Sequence, residues 1–222
     1  MPLISLLTAV VMGICVYATA HFARNYLFCR RKGFADTHYL LFSLLCLLAT
    51  ALLGSSILAY QAGDVEVYAS MIKWRSTLEQ LFFVVWPWFV YRLTSAGSVR
   101  LVSVISLYAL FMVLLSLVRP YGLYIDELPT LASQSYVWRE QIAFHQASPG
   151  NVGLFASAGV MAACLYSLYA SYVYLQGWHR ASAILLTAGI LLFMLFHFAD
   201  LLMYAGMLDT TPLVQYAYVS LI

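Results

Sequence analysis

Six long apolar segments follow one another along this chain, near Leu3–Phe28, Tyr39–Tyr60, Ser70–Arg92, Arg100–Leu117, Val152–Tyr174 and Ala181–Ala205. At about 1.5 Å of helical rise per residue, about 20 such residues match the roughly 30 Å hydrocarbon core of a bilayer. Inside that core an unpaired backbone group finds no water, so spanning segments become helices or closed barrels. The expected fold class is all-α: a polytopic membrane helical bundle, one domain over residues 1–222. Hydrophobic residues make up 64% of the chain and charged ones 9%, which excludes a soluble domain. The formal net charge of +2, with no basic patch, excludes nucleic acid as a partner. The first segment lacks the basic leader of a secretory signal peptide and is expected to stay as span one.

A seventh apolar segment opens at Pro212, a good first helical position. From there to Ile222 a helix rises about 16 Å, half of a crossing. The expectation is six complete spans and a truncated seventh that continues beyond Ile222, with a re-entrant segment as the alternative. Basic residues set the orientation. Arg30, Arg31 and Lys32, then Arg92 and Arg100, then Arg180 fall in alternate loops, which assigns those loops to the cytoplasm and the N-terminus to the outside. The opposite loops carry Asp64, Glu66, Asp126, Glu127, Glu140 and Asp209. One of them, 119–151, is long. Its middle, Thr130–Gln146, reads as an amphipathic helix lying over the bundle, with Leu131, Val137, Trp138, Ile142 and His145 distributed around it.

The stretch Val65–Ser95 is the exception among the spans. It begins with Lys73, Arg75 and Glu79 and becomes wholly apolar and aromatic up to Arg92. Pro87 removes one amide hydrogen and frees the Phe83 carbonyl, so a kink is expected there. Ionisable groups inside a membrane are costly and mark functional interiors by default. Arg75 and Glu79, four apart, share a helix face, as do His197 and Asp200, three apart in span six. Counting helical rise places the first pair about 8–14 Å and the second about 8–12 Å below the outer surface. These four residues are the candidate ligand-binding set, with Arg75 paired to Asp200 and Glu79 and His197 left to address a ligand. The competing reading is an ion pair that only locks two helices together.

Other constellations carry less. Cys15, Cys29, Cys46 and Cys164 lie within spans without a C-x-x-C, so they read as structural thiols, and no metal is expected. His21 and His197 differ by about 15 Å in depth and cannot share one iron. No cofactor is expected, and a haem would need other axial ligands. Tyr172 and Tyr174 suit an interfacial belt, whereas Tyr166 and Tyr169 lie deeper and call for interhelical hydrogen bonds. Gly54, Ser55 and Ser56 permit close helix approach. No nucleophile elbow or H-E-x-x-H is present, so no catalytic residues are assigned and the domain itself is not read as an enzyme. Spans six and seven hold no lysine for a retinal Schiff base.

The run ATAHFARNYLFCRRKGFADTHYLLFSLLCLLATALLGSSILAYQAGDVEVYASMIKWRSTLEQLFFVVWPWFVYRL resembles the N-terminal membrane sensor region of bacterial signalling proteins, which precedes PAS, histidine kinase or diguanylate cyclase modules. The resemblance rests on the aromatic first span, Asp36-Thr37-His38 before span two, Tyr60-x-Ala62 after it, and Trp74-Arg75 in span three. The segment HFADLLMYAGMLDTTPLVQYAYVSLI resembles the stretch leading such sensors into the cytoplasm. It implies a signal-input domain of the bacterial inner membrane. The implied partners are the lipid bilayer, an unknown small ligand, a cytoplasmic signalling module in the same chain and, as an option, a second copy in a homodimer. The rival expectations are a small transporter or channel subunit and a membrane scaffold without ligand.

Overall fold

The computed structural model describes residues 3–32, 37–62, 64–124, 130–137, 140–146, 151–177, 180–204, 218 and 221. Among the described residues six helices carry the fold: α1 (Leu3–Arg31), α2 (Thr37–Tyr60), α3 (Val65–Thr94), α4 (Val99–Val118), α5 (Asn151–Leu175) and α6 (Arg180–Tyr204). Four of them contain stretches long and apolar enough to cross a membrane: Thr37–Ala59, Val99–Val118, Val152–Leu175 and Arg180–Asp200. Their outward faces stay apolar. Val104, Leu107, Phe111 and Leu114 on α4, and Leu185, Leu195 and Phe198 on α6, are each more than half exposed. A protein in water rarely shows contiguous apolar surface on this scale, whereas lipid is a natural neighbour for it.

α3 is the hub. It packs against α2, α4 and α5, while α1 packs on α2 and α6 on α5. Its apolar C-terminal half supplies Phe82, Phe83 and Trp86 to a core shared with Leu52 of α2 and Phe193 of α6. Both ends are capped. Asp64 accepts the Glu66 amide at 3.0 Å, and Ser95 takes the left-handed conformation at φ 53° with its N–H on the Tyr91 carbonyl at 2.8 Å. The helix continues past Pro87 to Thr94. One residue from the carbonyl that Pro87 deprives of an amide, Val84 O accepts an additional bond from Ser106 Oγ of α4 at 2.9 Å.

Neighbouring helices are tied by side-chain hydrogen bonds of the kind that apolar surroundings favour. Ser43 Oγ donates to Thr19 O at 2.9 Å between α2 and α1, and Trp86 Nε1 donates to Ser167 Oγ at 2.8 Å between α3 and α5. Ser171 Oγ donates to Ala183 O at 2.9 Å between α5 and α6. Of the two deep tyrosines, Tyr166 is buried and donates to Ala96 O at 3.1 Å. Tyr169, by contrast, is 54% exposed and faces away from the core. Cys15, Cys46 and Cys164 are buried free thiols and Cys29 is partly buried and free. A Cβ at Gly54 would meet only the Met12 side-chain tip of α1 at 3.5 Å, an ordinary contact, so Gly54 does not mark a close backbone approach.

The expected helix over Thr130–Gln146 is instead a hairpin of β1 (Thr130–Val137) and β2 (Glu140–Gln146). The strands pair antiparallel from Thr130↔Gln146 to Val137↔Glu140, with an irregularity between Ala132 and Ser135. The apolar residues of this segment are spread around a helical wheel and make no stripe to bury. Local antiparallel pairing bonds the backbone without needing one. The expected seventh span falls mostly outside the described residues. Its Tyr218 and Leu221 are described, and both are buried in the main core.

Candidate functional site

The site is assembled by α3, α6, the turn after α4 and Tyr218. Arg75 and Glu79 sit one helical turn apart in the N-terminal half of α3, and both are buried, at 8% and 4% exposure. The two polar residues of α6 are equally enclosed, His197 and Asp200 at 4% each. Arg75 Nη2 lies 3.8 Å from Asp200 Oδ2, so the counted depths of the two helices bring acid and base together. At that separation the pair is an ion pair without the tight geometry of a bidentate fork. His197 is within electrostatic reach of both Asp200 and Arg75.

The turn after α4 delivers a further group. Gly122 takes φ +81°, and a Cβ there would meet Ser76 Oγ at 2.6 Å and Lys73 Cα at 2.9 Å. Only glycine lets this turn lie so close to α3. Beside it Ser76, Thr77 and Ser116 form a buried hydroxyl cluster, with Oγ–Oγ 3.0 Å from Ser76 to Ser116 and 2.8 Å from Thr77 Oγ1 to Ser116 Oγ. Leu123 is fully buried and Tyr124 follows, its hydroxyl turned to the Glu79 carboxyl. Tyr218 faces the same carboxyl from the C-terminal side, though its hydroxyl stops short of hydrogen-bond geometry.

Aromatic rings hold these groups in place. His197 stacks on Phe193 at 5.9 Å between centroids, with the planes 11° apart. Tyr218 packs edge-on against the same Phe193 ring at 5.2 Å and against Phe82 at 5.0 Å. Phe83 closes the set, 5.6 Å from Phe193. The imidazole and the phenol are therefore fixed around one ring, and neither is satisfied: His197 Nε2 and Tyr218 Oη are buried with no hydrogen-bond partner, as is Gln80 Nε2 next to Glu79. A buried polar atom left unpaired costs about 1–3 kcal/mol, so such atoms are uncommon in a merely structural cluster.

All four residues singled out in the sequence thus lie on facing elements, and two of them are in direct ionic contact. Sequence reasoning missed Tyr218, Tyr124 and Gln80. Gln80 carried a signal, a polar residue in an otherwise apolar turn adjoining Glu79. Among the described residues no cluster of three or more His, Cys, Asp or Glu could hold a metal. No protein-family model, curated protein or solved structure matches the chain.

Proposed function

We propose that this chain is the signal-input domain of a bacterial inner-membrane receptor, sensing a small or membrane-soluble ligand between α3 and α6. In this reading α1 to α6 are six complete spans, the segment from Pro212 opens a seventh, and the N-terminus is outside. The basic loops support that orientation, because Arg30, Arg31, Lys32, Arg92, Arg100 and Arg180 recur in alternate connections. The observation that carries the ligand reading is the set of unpaired buried atoms, His197 Nε2 and Tyr218 Oη, beside the Arg75–Asp200 pair and Glu79. An ion pair that served only to lock α3 to α6 gains nothing from unsatisfied neighbours. A ligand supplies their partners.

Relay follows from where Tyr218 sits. Its ring bridges Phe82 and Phe83 of α3 and Phe193 of α6, so occupation of the site alters the packing of the C-terminal segment. A ligand shifts such an equilibrium only by its differential affinity for the two packings. The effector is then a cytoplasmic module, a kinase or cyclase, in the same chain. The test is Glu79→Gln in the natural gene product, read by thermal stability and by output of that module. The expected result is a preserved fold with altered output. Unchanged output in Glu79→Gln, together with pure loss of stability in Arg75→Ala, would reduce the cluster to a helix lock.

A further inference from the structure

The class of ligand follows from the charge and hydrogen-bonding inventory of this cluster, and it rests on the receptor reading above. Among the described residues, the charged groups that act on one another here are two carboxyls, Glu79 and Asp200, and one guanidinium, Arg75. Arg75 is already committed to Asp200 at 3.8 Å. Glu79, 4% exposed, lies within electrostatic reach of Arg75 and of the Tyr124 and Tyr218 hydroxyls. An anionic ligand would add a third negative group beside one positive one, which low dielectric penalises heavily. A cation balances the set.

The unpaired atoms agree with this. Tyr218 Oη has lone pairs to offer, and a neutral imidazole offers one at whichever ring nitrogen carries no hydrogen. Glu79 and Tyr218 Oη lie together while His197 lies with Asp200 and Arg75, so an ammonium, which has N–H donors only, finds acceptors at the Glu79 end of the cluster. The surrounding rings suit the same ligand. Phe82, Phe83, Phe193 and Tyr218 form a continuous aromatic wall, and aromatic faces attract ammonium groups while accommodating an apolar body. We infer that the α3–α6 site binds a small organic primary amine in its protonated form, its ammonium directed to Glu79 and Tyr218 Oη, its body against the Phe193 and Phe82 rings.

The experiment uses the whole protein in lipid nanodiscs and three probes that share one phenylethyl body: 2-phenylethylamine, 2-phenylethanol and 3-phenylpropanoate. Binding is read by calorimetry and by the shift in thermal midpoint. The amine is expected to bind at least about tenfold more tightly than the alcohol, the least that a charge-assisted hydrogen bond to a buried carboxylate contributes, and the carboxylate probe is expected not to bind. Glu79→Gln should abolish that tenfold preference and leave the alcohol unaffected. Should that variant fail to fold, Tyr218→Phe, which removes one acceptor and keeps the ring, should weaken the amine several-fold. Equal binding of amine and alcohol, or preference for the carboxylate, overturns the amine class while leaving a ligand site in place. Failure of the amine to bind, or full amine affinity in Glu79→Gln, overturns the assignment of this site; the output of Glu79→Gln then decides separately whether the receptor reading survives.

Discussion

In the C-terminal half of α3, Trp86 donates its indole N–H to Ser167, which itself bonds Ala163 O at 2.7 Å, and Ser106 fills a carbonyl near Pro87. In the N-terminal half, one and two turns away, Gln80 Nε2 has no partner, and neither His197 Nε2 nor Tyr218 Oη, which face that region, has one. Trp86 and Gln80 belong to one helix and are both buried. The first shows that this bundle can satisfy a large polar side chain deep in its core. Ser157 Oγ of α5 is unpaired as well, so what distinguishes the region around Gln80 is that its unpaired atoms lie beside charged groups. An open set beside charged groups is the observation on which the proposed ligand site rests.

Arg75→Ala should produce the largest change. It leaves two buried carboxyls without the guanidinium that faces them, and a buried pair broken from one side loses about 3–5 kcal/mol. Thermal or denaturant unfolding in detergent would measure it, and a loss below about 1 kcal/mol, the range of exposed ion pairs, would mean that water reaches the pair freely. Gly122→Ala comes next. At φ +81° with Lys73 Cα 2.9 Å from the new Cβ, it should cost about 1–3 kcal/mol and, by lifting Tyr124 from Glu79, lower ligand response as well. If stability falls and response does not, the turn after α4 is scaffold alone.

How much of this was legible in the chain depends on the kind of signal. The long apolar runs foretold the helices, because in a membrane a long uncharged run has almost no other option. The Arg75–Asp200 contact was legible by counting rise, since depth is linear in residue number along a straight span. Rotation was harder. Tyr166 and Tyr169 have similar depth, yet one is buried and the other faces outward, and which side of α5 met the bundle had no strong periodic mark in a helix that is apolar all round. Tyr218 was hidden for another reason. Its segment was weighed for length, and length says nothing about a single ring that slots between α3 and α6. The hairpin at Thr130–Gln146 was misread because a short segment with scattered apolar residues supports helix and strand almost equally.

The satisfied half of α3 supplies the control for the remaining predictions. Trp86→Phe removes a paired donor and should lose about 0.5–1.5 kcal/mol for the hydrogen bond alone, with additional loss for the missing ring volume, whether or not ligand is present. It should leave the amine preference of the site untouched.

The smallest expected effect is the most direct test that the cluster by α6 is an open set awaiting a ligand. Tyr218→Phe deletes only the hydroxyl that lacks a partner and keeps the ring against Phe82, Phe83 and Phe193. Without ligand, the measured unfolding free energy of this variant should equal that of the parent or exceed it by up to about 1–3 kcal/mol, the penalty of an unsatisfied buried polar group. A loss of about 1 kcal/mol or more would show instead that the hydroxyl is bonded within the resting protein and that the cluster is closed.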